Sequence, residues 1–210
     1  MVVSLWVLCF AVAVLLVAEK GDHAGLRATS KLIASTAFVT LALAAGATEH
    51  GYGKAILVAL LASWIGDACL LSARKSIFMI GLLSFLGGHV AFGSAFLGRG
   101  VSWVWVLAGA LAISRVGVPL RRWLVEIADA NFKVPVRVYI LVISGMTSLA
   151  IGSWGAGHHW TVPVGAFAFF LSDITVALDR FVEPRFAHRV VGTPLYYGAQ
   201  ALLAWSISMP

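Results

Sequence analysis

The chain has 210 residues, of which 60% are hydrophobic and only 11% charged, and its mean hydropathy is +0.94. Because soluble domains carry about 25% charged residues, this composition excludes a soluble globular protein and indicates one integral membrane domain over residues 1–210. The formal net charge of +6 comes from basic residues in short connections between apolar runs. They form no basic domain or groove, so we expect no nucleic-acid partner.

Eight apolar runs are long enough, or nearly long enough, to cross a bilayer, which takes about 20 residues and about 17 at the short end. The first run lacks the positive flank and the small-residue cleavage pattern of a signal peptide, so we expect a retained span. The runs predict an all-α, polytopic transmembrane helical bundle. In chain order they cover approximately 3–18, 28–46, 54–72, 76–97, 101–119, 134–154, 161–178 and 194–209.

Lysine and arginine divide unequally between the two sides that these spans create. Of the 15 such residues, only Lys54 and Arg99 fall on one side, and all the others fall on the opposite side. Such a division follows the positive-inside rule, and one span more or fewer would destroy it. We therefore expect the basic side to face the cytoplasm and both termini to lie outside, in the cell membrane, or in the inner membrane if the source is bacterial.

The longest connection, residues 121–133, mixes basic residues with apolar residues at roughly helical spacing. Two structures are compatible with that pattern. The segment could form a helix that lies flat on the inner membrane surface, or it could be an ordinary polar turn between the fifth and sixth spans.

Two carboxylates lie inside predicted spans, where a charged group costs at least about 2.5–3.5 kcal/mol. They are Asp67 in SWIGDACLL and Asp173 in FFLSDITVAL. Each precedes a cytoplasmic arginine, Arg74 or Arg180, by seven residues, which places both about 10 Å below the inner boundary at 1.5 Å per residue. An interhelical salt bridge or hydrogen bond would also explain them, but a shared depth favours a functional pair.

Other polar side chains enter the same layer when depth is counted along each span. A pocket that opens toward the inner leaflet needs such convergence. His89 lies deeper, near the midplane, and could be a core histidine bonded to a carbonyl group. The tyrosines could instead belong to an interfacial belt, and the two cations could be anchors that reach the surface. The residues of this layer are Lys31, Arg137, Tyr139, Tyr196, Tyr197 and Gln200.

Two carboxyl groups close together in a desolvated site do not both ionise readily, so one tends to hold a proton. Such a pair supplies one acid and one base. Neither a HExxH motif nor paired histidines within a span are present, so we expect no metal site and no cofactor. A GxSxG motif is also absent, so the sequence gives little support to a serine nucleophile. The apolar surroundings indicate a lipid-like or otherwise hydrophobic substrate.

Five segments of the chain carry a resemblance to a known family. In chain order they are SWIGDACLL, FMIGLLSFLGGHVAFGSAF, VYILVISGMTSLAIG, VGAFAFFLSDITVALDRF and YYGAQALLAWS. With these segments, in the family's order, the chain resembles the YhhN-like family of multi-helix membrane proteins, which includes the lysoplasmalogenases. Two departures from the family's pattern concern substrate preference: Lys31 is followed by Leu32 where the family often has proline, and Phe92 lies where tyrosine is often found.

The resemblance implies hydrolysis of the vinyl-ether bond of a lysoplasmalogen, a lysophospholipid, to a fatty aldehyde and a glycerophospho-ethanolamine or -choline. Asp67 and Asp173 would then divide the acid and base roles, with the assignment open. Lys31 and Arg137 would hold the phosphate at the cytoplasmic mouth. Four further side chains would orient the water or the ether oxygen: His89, Tyr139, Tyr197 and Gln200.

Two other functions fit the same residues. A proton-coupled transporter of a small molecule or lipid would use the aspartates as a proton relay, and another lipid or ether hydrolase could use the same scaffold. Product formation from a vinyl-ether lysolipid separates the enzyme from the transporter. The sequence leaves the oligomeric state open.

Overall fold

The structure, a computed structural model, describes residues 1–127 and 132–209. Within them the chain forms eight α-helices, a single-turn 3₁₀ helix at Ser206–Ser208 and no strands, which confirms the predicted all-α class. The helices are α1 Val2–Lys20, α2 Ala24–Ala44, α3 Gly51–Leu70, α4 Lys75–Arg99, α5 Trp103–Ile127, α6 Lys133–Gly155, α7 Thr161–Phe181 and α8 Phe186–Trp205.

The helices have the composition of membrane spans. Among the described residues, α1 to α7 are each long and apolar enough to cross a bilayer. Helix α8 has 20 residues but falls below that hydropathy, since it carries His188, Arg189 and Gln200. Large apolar side chains such as Val104 (76% exposed) and Phe10 (73% exposed) point outward, toward lipid. The chain is therefore a multi-pass integral membrane protein, and its orientation remains a prediction.

Consecutive helices pack as antiparallel pairs, α1 with α2, α3 with α4, α5 with α6 and α7 with α8. Helix α8 also packs against α1 and α2, which closes the bundle, whereas α5 packs chiefly on α6 and stays peripheral. We call the end of the bundle at which α1 joins α2, α3 joins α4 and α7 joins α8 the basic end, because most lysines and arginines lie there. The candidate site opens at this end.

Most helix ends lie within four residues of the predicted span limits, but α8 begins at Phe186 and not at 194. The prediction was wrong here because Pro194 lies inside the helix. The polar residues before it are part of the bundle: Arg189 Nη1 lies 2.7 Å from Glu19 Oε2 of α1, so α8 starts in packed structure and not in a solvated loop.

The predicted connection at 121–133 also needs correction. Helix α5 continues past Pro119 to Ile127, so residues 121–127 form neither a separate surface helix nor a turn. Apolar side chains of this segment hold the helix against α6. Leu124 is 1% exposed and packs in a small cluster with Phe132, Val136 and Ile140. Residues 128–131, also part of that prediction, lie outside the described residues.

Glycines allow close helix contact beside both aspartates. A Cβ atom at Gly66, next to Asp67, would lie 2.6 Å from the ring of Phe85 in α4. A Cβ atom at Gly192 in α8 would collide with the hydroxyl of Thr175 in α7. These close approaches bring α4 and α8 against the two helices that carry the carboxylates.

Candidate active site

A cavity of about 550 Å³ opens at the basic end and is lined by residues from all eight helices. Its volume is within the range of about 300–1,000 Å³ that is typical of small-molecule sites. Both Asp67 and Asp173 line it. Two spans thus deliver their carboxyl groups to one space. The Asp67 side chain is 1% exposed and that of Asp173 16%.

Asp67 is 1% exposed and receives three donors from two other helices. On α2, Lys31 Nζ lies 3.1 Å from Oδ1 and the Ser35 hydroxyl donates to Oδ2 at 2.6 Å. On α8, the Tyr196 hydroxyl donates to the same Oδ2 at 2.7 Å. An ammonium group and two hydroxyl donors are the surroundings that stabilise an ionised carboxylate.

Asp173 has different neighbours. The Tyr139 hydroxyl of α6 donates to Oδ2 at 2.9 Å, and His89 Nε2 of α4 lies 3.3 Å from the same oxygen. His89 is 1% exposed, and its other nitrogen, Nδ1, lies 2.7 Å from the Phe85 carbonyl oxygen. Because a carbonyl only accepts, Nδ1 carries a proton and donates it there.

The position of that proton has a consequence for the contact between His89 and Asp173. With Nδ1–H donated to Phe85, a neutral His89 presents the lone pair of Nε2 to Asp173. A lone pair facing a carboxylate oxygen is repulsive, so the contact is favourable only when one proton lies on Nε2 or on Asp173. At 3.3 Å the two atoms make no hydrogen bond in the structure as described, and a proton on either of them would allow one.

The two carboxylates are held in corresponding ways by the two halves of the chain. Asp67 on α3 accepts from α2 and α8, and Asp173 on α7 accepts from α6 and lies beside His89 of α4. If α1–α4 and α5–α8 are taken as two halves of the chain, each aspartate has one partner on the helix that precedes its own. Its other partner lies on the last helix of the opposite half. The partners differ in kind, because an ammonium faces Asp67 and an imidazole faces Asp173.

The sequence matches a known protein family over most of its length. Residues 26–207 match the model described as the YhhN family. The chain belongs to the YhhN family. The matched region contains both aspartates and all of their described partners.

Curated relatives of this YhhN-family chain are named lysoplasmalogenases. It is 32% identical over 163 residues to lysoplasmalogenase TMEM86A of Bos taurus, covering 75% of this chain and 66% of that one. It is 31% identical to TMEM86A of Homo sapiens with the same coverage, and 31% identical to lysoplasmalogenase TMEM86B of Homo sapiens over 74% of this chain and 64% of that one. The chain thus spans about two thirds of these relatives. No solved structure matches it significantly.

Two other predicted site residues of this YhhN-family chain lie on α8. The Tyr197 hydroxyl lies 3.3 Å from Ser35 Oγ and 3.3 Å from the Lys31 carbonyl oxygen, so it supports α2 beneath Asp67. Gln200 is fully buried but does not line the cavity. Its amide atoms have no hydrogen-bond partner among the described residues.

Arg137 does not join the other predicted residues. Its side chain is exposed and lines a separate surface depression with Arg121, Arg122, Val125 and Glu126. The structure therefore brings Lys31, Tyr139 and Tyr197 to the cavity, places His89 behind Asp173, and leaves Arg137 outside.

Sequence reasoning missed Ser35 altogether and left Tyr196 out of the proposed site. Ser35 lies four residues after Lys31, on the same face of α2, and that spacing was available as a signal. Tyr196 and Tyr197 are adjacent, so they point about 100° apart around the helix. No pattern in the sequence indicated which of the two would reach Asp67.

The mouth of the cavity carries a network of ion pairs. Arg189 of α8 lies 2.7 Å from Glu19 of α1 and 3.4 Å from Asp179 of α7. Arg27 of α2 is more loosely placed, at 3.9 Å from Glu19 and 3.5 Å from Asp22. Arg180 has its guanidinium over the ring of Phe78 at 4.3 Å. Except for Asp22, these charged residues line the cavity.

The wall of the cavity toward α5 is apolar. It consists of side chains from the basic ends of α4, α5 and α6: Phe78, Leu82, Leu120, Leu124, Val136 and Ile140. One side of the cavity is thus charged and the other suits a hydrocarbon chain. Among the described residues, no group of three or more His, Cys, Asp or Glu side chains is arranged to hold a metal ion.

Proposed function

We propose that this chain hydrolyses the vinyl-ether bond of a lysoplasmalogen, releasing a fatty aldehyde and a glycerophospho-ethanolamine or -choline. The observation that carries the proposal is one cavity with two aspartates in unlike surroundings, a buried Asp67 beside an ammonium and a partly exposed Asp173 beside an imidazole. The names of the relatives support the same reaction. We propose the cell membrane as its location, with both termini outside.

Asp67 is the anion of the pair. Three donors, including the Lys31 ammonium, converge on its two oxygens, and a proton on this carboxyl group would displace at least one of them. The charge lies inside the cavity, where a developing cation on the substrate would meet it in surroundings of low dielectric constant. Asp67 is therefore suited to stabilise an oxocarbenium ion, and it accepts a proton from water by giving up one of these donors.

Asp173 is the acid. It lines the cavity, while His89 lies behind it and faces no substrate, so the proton that the two share leaves through Asp173. The Tyr139 hydroxyl fixes the carboxyl group by donating to Oδ2. His89 is therefore a positioning residue that keeps the proton available.

The reaction then balances with water as the only other reactant. Asp173 protonates the outer alkenyl carbon, which converts the vinyl ether into an oxocarbenium ion. Asp67 removes a proton from the water molecule that attacks this ion, and a hemiacetal forms. As the hemiacetal collapses, Asp67 returns that proton to the departing glycerol oxygen, and the hemiacetal hydroxyl group gives its proton to Asp173. Both carboxyl groups end in their starting states.

The two sides of the cavity set the direction of the substrate. The alkenyl chain lies along the apolar wall beside Leu120, Leu124 and Ile140, and the glycerophosphate faces the charged mouth. The vinyl ether, which joins these two parts, then lies between them, at the level of the aspartates.

The proposal is tested with purified protein and three lysolipids that share an ethanolamine headgroup: a 1-alkenyl, a 1-acyl and a 1-alkyl compound. We expect fatty aldehyde from the alkenyl compound only, because protonation at carbon requires its double bond. Release of fatty acid from the acyl compound at a similar rate would favour another lipid hydrolase. Proton-coupled uptake into proteoliposomes without any product would favour a transporter.

A further inference from the structure

The charged mouth of the cavity contains acidic side chains that the hydrolysis itself does not use. Glu19 and Asp179 both line the cavity, on α1 and α7. Asp179 lies six residues after Asp173, which places it about 9 Å nearer the basic end. A bound substrate that reacts at Asp173 would extend its headgroup toward this level.

One carboxylate oxygen of Glu19, Oε1, has no ion-pair partner among the described residues. Both described ion-pair contacts of Glu19, from Arg189 and from Arg27, are made by Oε2. The Glu19 side chain is 15% exposed, and a partly buried carboxylate oxygen has capacity for a further donor. Asp179 is held nearby, because its Oδ2 pairs with the same Arg189 and its Oδ1 accepts from the Arg185 backbone N–H at 3.0 Å. The two carboxylates therefore lie on either side of one guanidinium.

The cations of the mouth are not equally engaged. Arg189 is held by two carboxylates, at 2.7 and 3.4 Å. Arg27 has only the longer contacts of 3.9 and 3.5 Å, and stacking of Arg180 on Phe78 leaves the in-plane donors of its guanidinium available. Arg27 lies one turn from Lys31 toward the basic end, so a phosphate above the reacting bond would come within reach of it.

We propose that the mouth is a headgroup site for a zwitterionic phosphoethanolamine, in which Arg27 and Arg180 hold the phosphate while Glu19 and Asp179 hold the primary ammonium. The proposal rests on the proposed function for the orientation of the substrate, and it replaces Lys31 and Arg137 as the phosphate ligands. Lys31 is engaged by Asp67, and Arg137 lies outside the cavity. A headgroup with phosphate alone would leave the two carboxylates without an ammonium.

The test measures binding, so that it does not depend on turnover. Two non-hydrolysable 1-alkyl lysolipids that differ only in headgroup, one with phosphoethanolamine and one with phosphate, are titrated into detergent-solubilised protein by calorimetry. We expect Glu19→Gln and Asp179→Asn each to weaken binding of the ethanolamine compound by about tenfold, the value of one charge-assisted hydrogen bond. Binding of the phosphate compound should be unchanged or tighter.

Two further variants complete the test. Arg27→Gln should weaken both compounds to a similar extent, because both contain the phosphate. The matched control is Glu183→Gln. Glu183 is an exposed acidic residue in the connection between α7 and α8 that pairs with Arg185 and does not line the cavity. The substitution should leave both affinities unchanged.

An equal loss for both compounds in the Glu19 and Asp179 variants, or no loss for either, would overturn the headgroup assignment. Failure of the proposed function gives a different result: wild-type protein would distinguish the two headgroups but release no aldehyde from an alkenyl lysolipid.

Discussion

Replacing Asp173 by asparagine should lower kcat for aldehyde release by about 10³-fold, since general acid catalysis contributes about 10²–10⁴-fold. The amide keeps the shape of the side chain and can still accept from Tyr139, which donates at 2.9 Å. It cannot deliver a proton to carbon. The measurement is single-turnover aldehyde release at saturating 1-alkenyl lysolipid, so that binding does not limit the rate.

The same chemical change at Asp22 is the matched control. The Asp22 side chain is 94% exposed, does not line the cavity and, within residues 1–127 and 132–209, has its ion pair with Arg27 alone, so Asp22→Asn should retain the wild-type rate. Binding of a 1-alkyl lysolipid to Asp173→Asn should also be close to wild type. A folded Asp173→Asn protein that turns over at the wild-type rate would remove Asp173 from the role of acid.

Asp67→Asn should have two effects, because Asp67 compensates a buried ammonium as well as acting on the substrate. We expect a loss in kcat of at least about 10²-fold, the usual effect of removing a stabilising charge from an active site. We also expect a lower melting temperature in detergent, because the amide leaves Lys31 without its partner at 3.1 Å. Breaking a buried ion pair in this way costs about 3 kcal/mol.

The double variant Lys31→Met/Asp67→Asn separates the two effects. Removing the ammonium together with the carboxylate should restore most of the lost thermal stability, since neither charge is then left unpaired. The rate of aldehyde release should stay low, because the anion is still missing. Recovery of activity together with stability would contradict a chemical role for Asp67.

The depth of the polar layer could be predicted from the sequence, because helical rise converts residue number into distance. Equal offsets from Arg74 and Arg180 indicated one level for Asp67 and Asp173, and both residues do line one cavity. The division of basic residues likewise indicated the correct number of helices. The roles of the two aspartates remain predictions.

Which side chains meet could not be predicted, because the rotation and packing of helices are tertiary properties. Lys31 and Arg137 each lie 36 residues before an aspartate, yet Lys31 pairs with Asp67 and Arg137 lines a separate depression. The start of α8 could not be predicted either, because it too depends on tertiary packing. Pro194 indicated a helix end, and tertiary contacts such as those of Arg189 with α1 and α7 make the preceding turn part of the bundle.

The central claim is that the vinyl ether is cleaved by protonation at carbon. It is tested most directly by hydrolysing a 1-alkenyl lysolipid in D₂O, reducing the aldehyde at once to the alcohol, and analysing that alcohol by mass spectrometry. We predict one deuterium at the carbon next to the former aldehyde carbon, delivered there by Asp173. An aldehyde without deuterium at that carbon, or no aldehyde at all, would contradict the account.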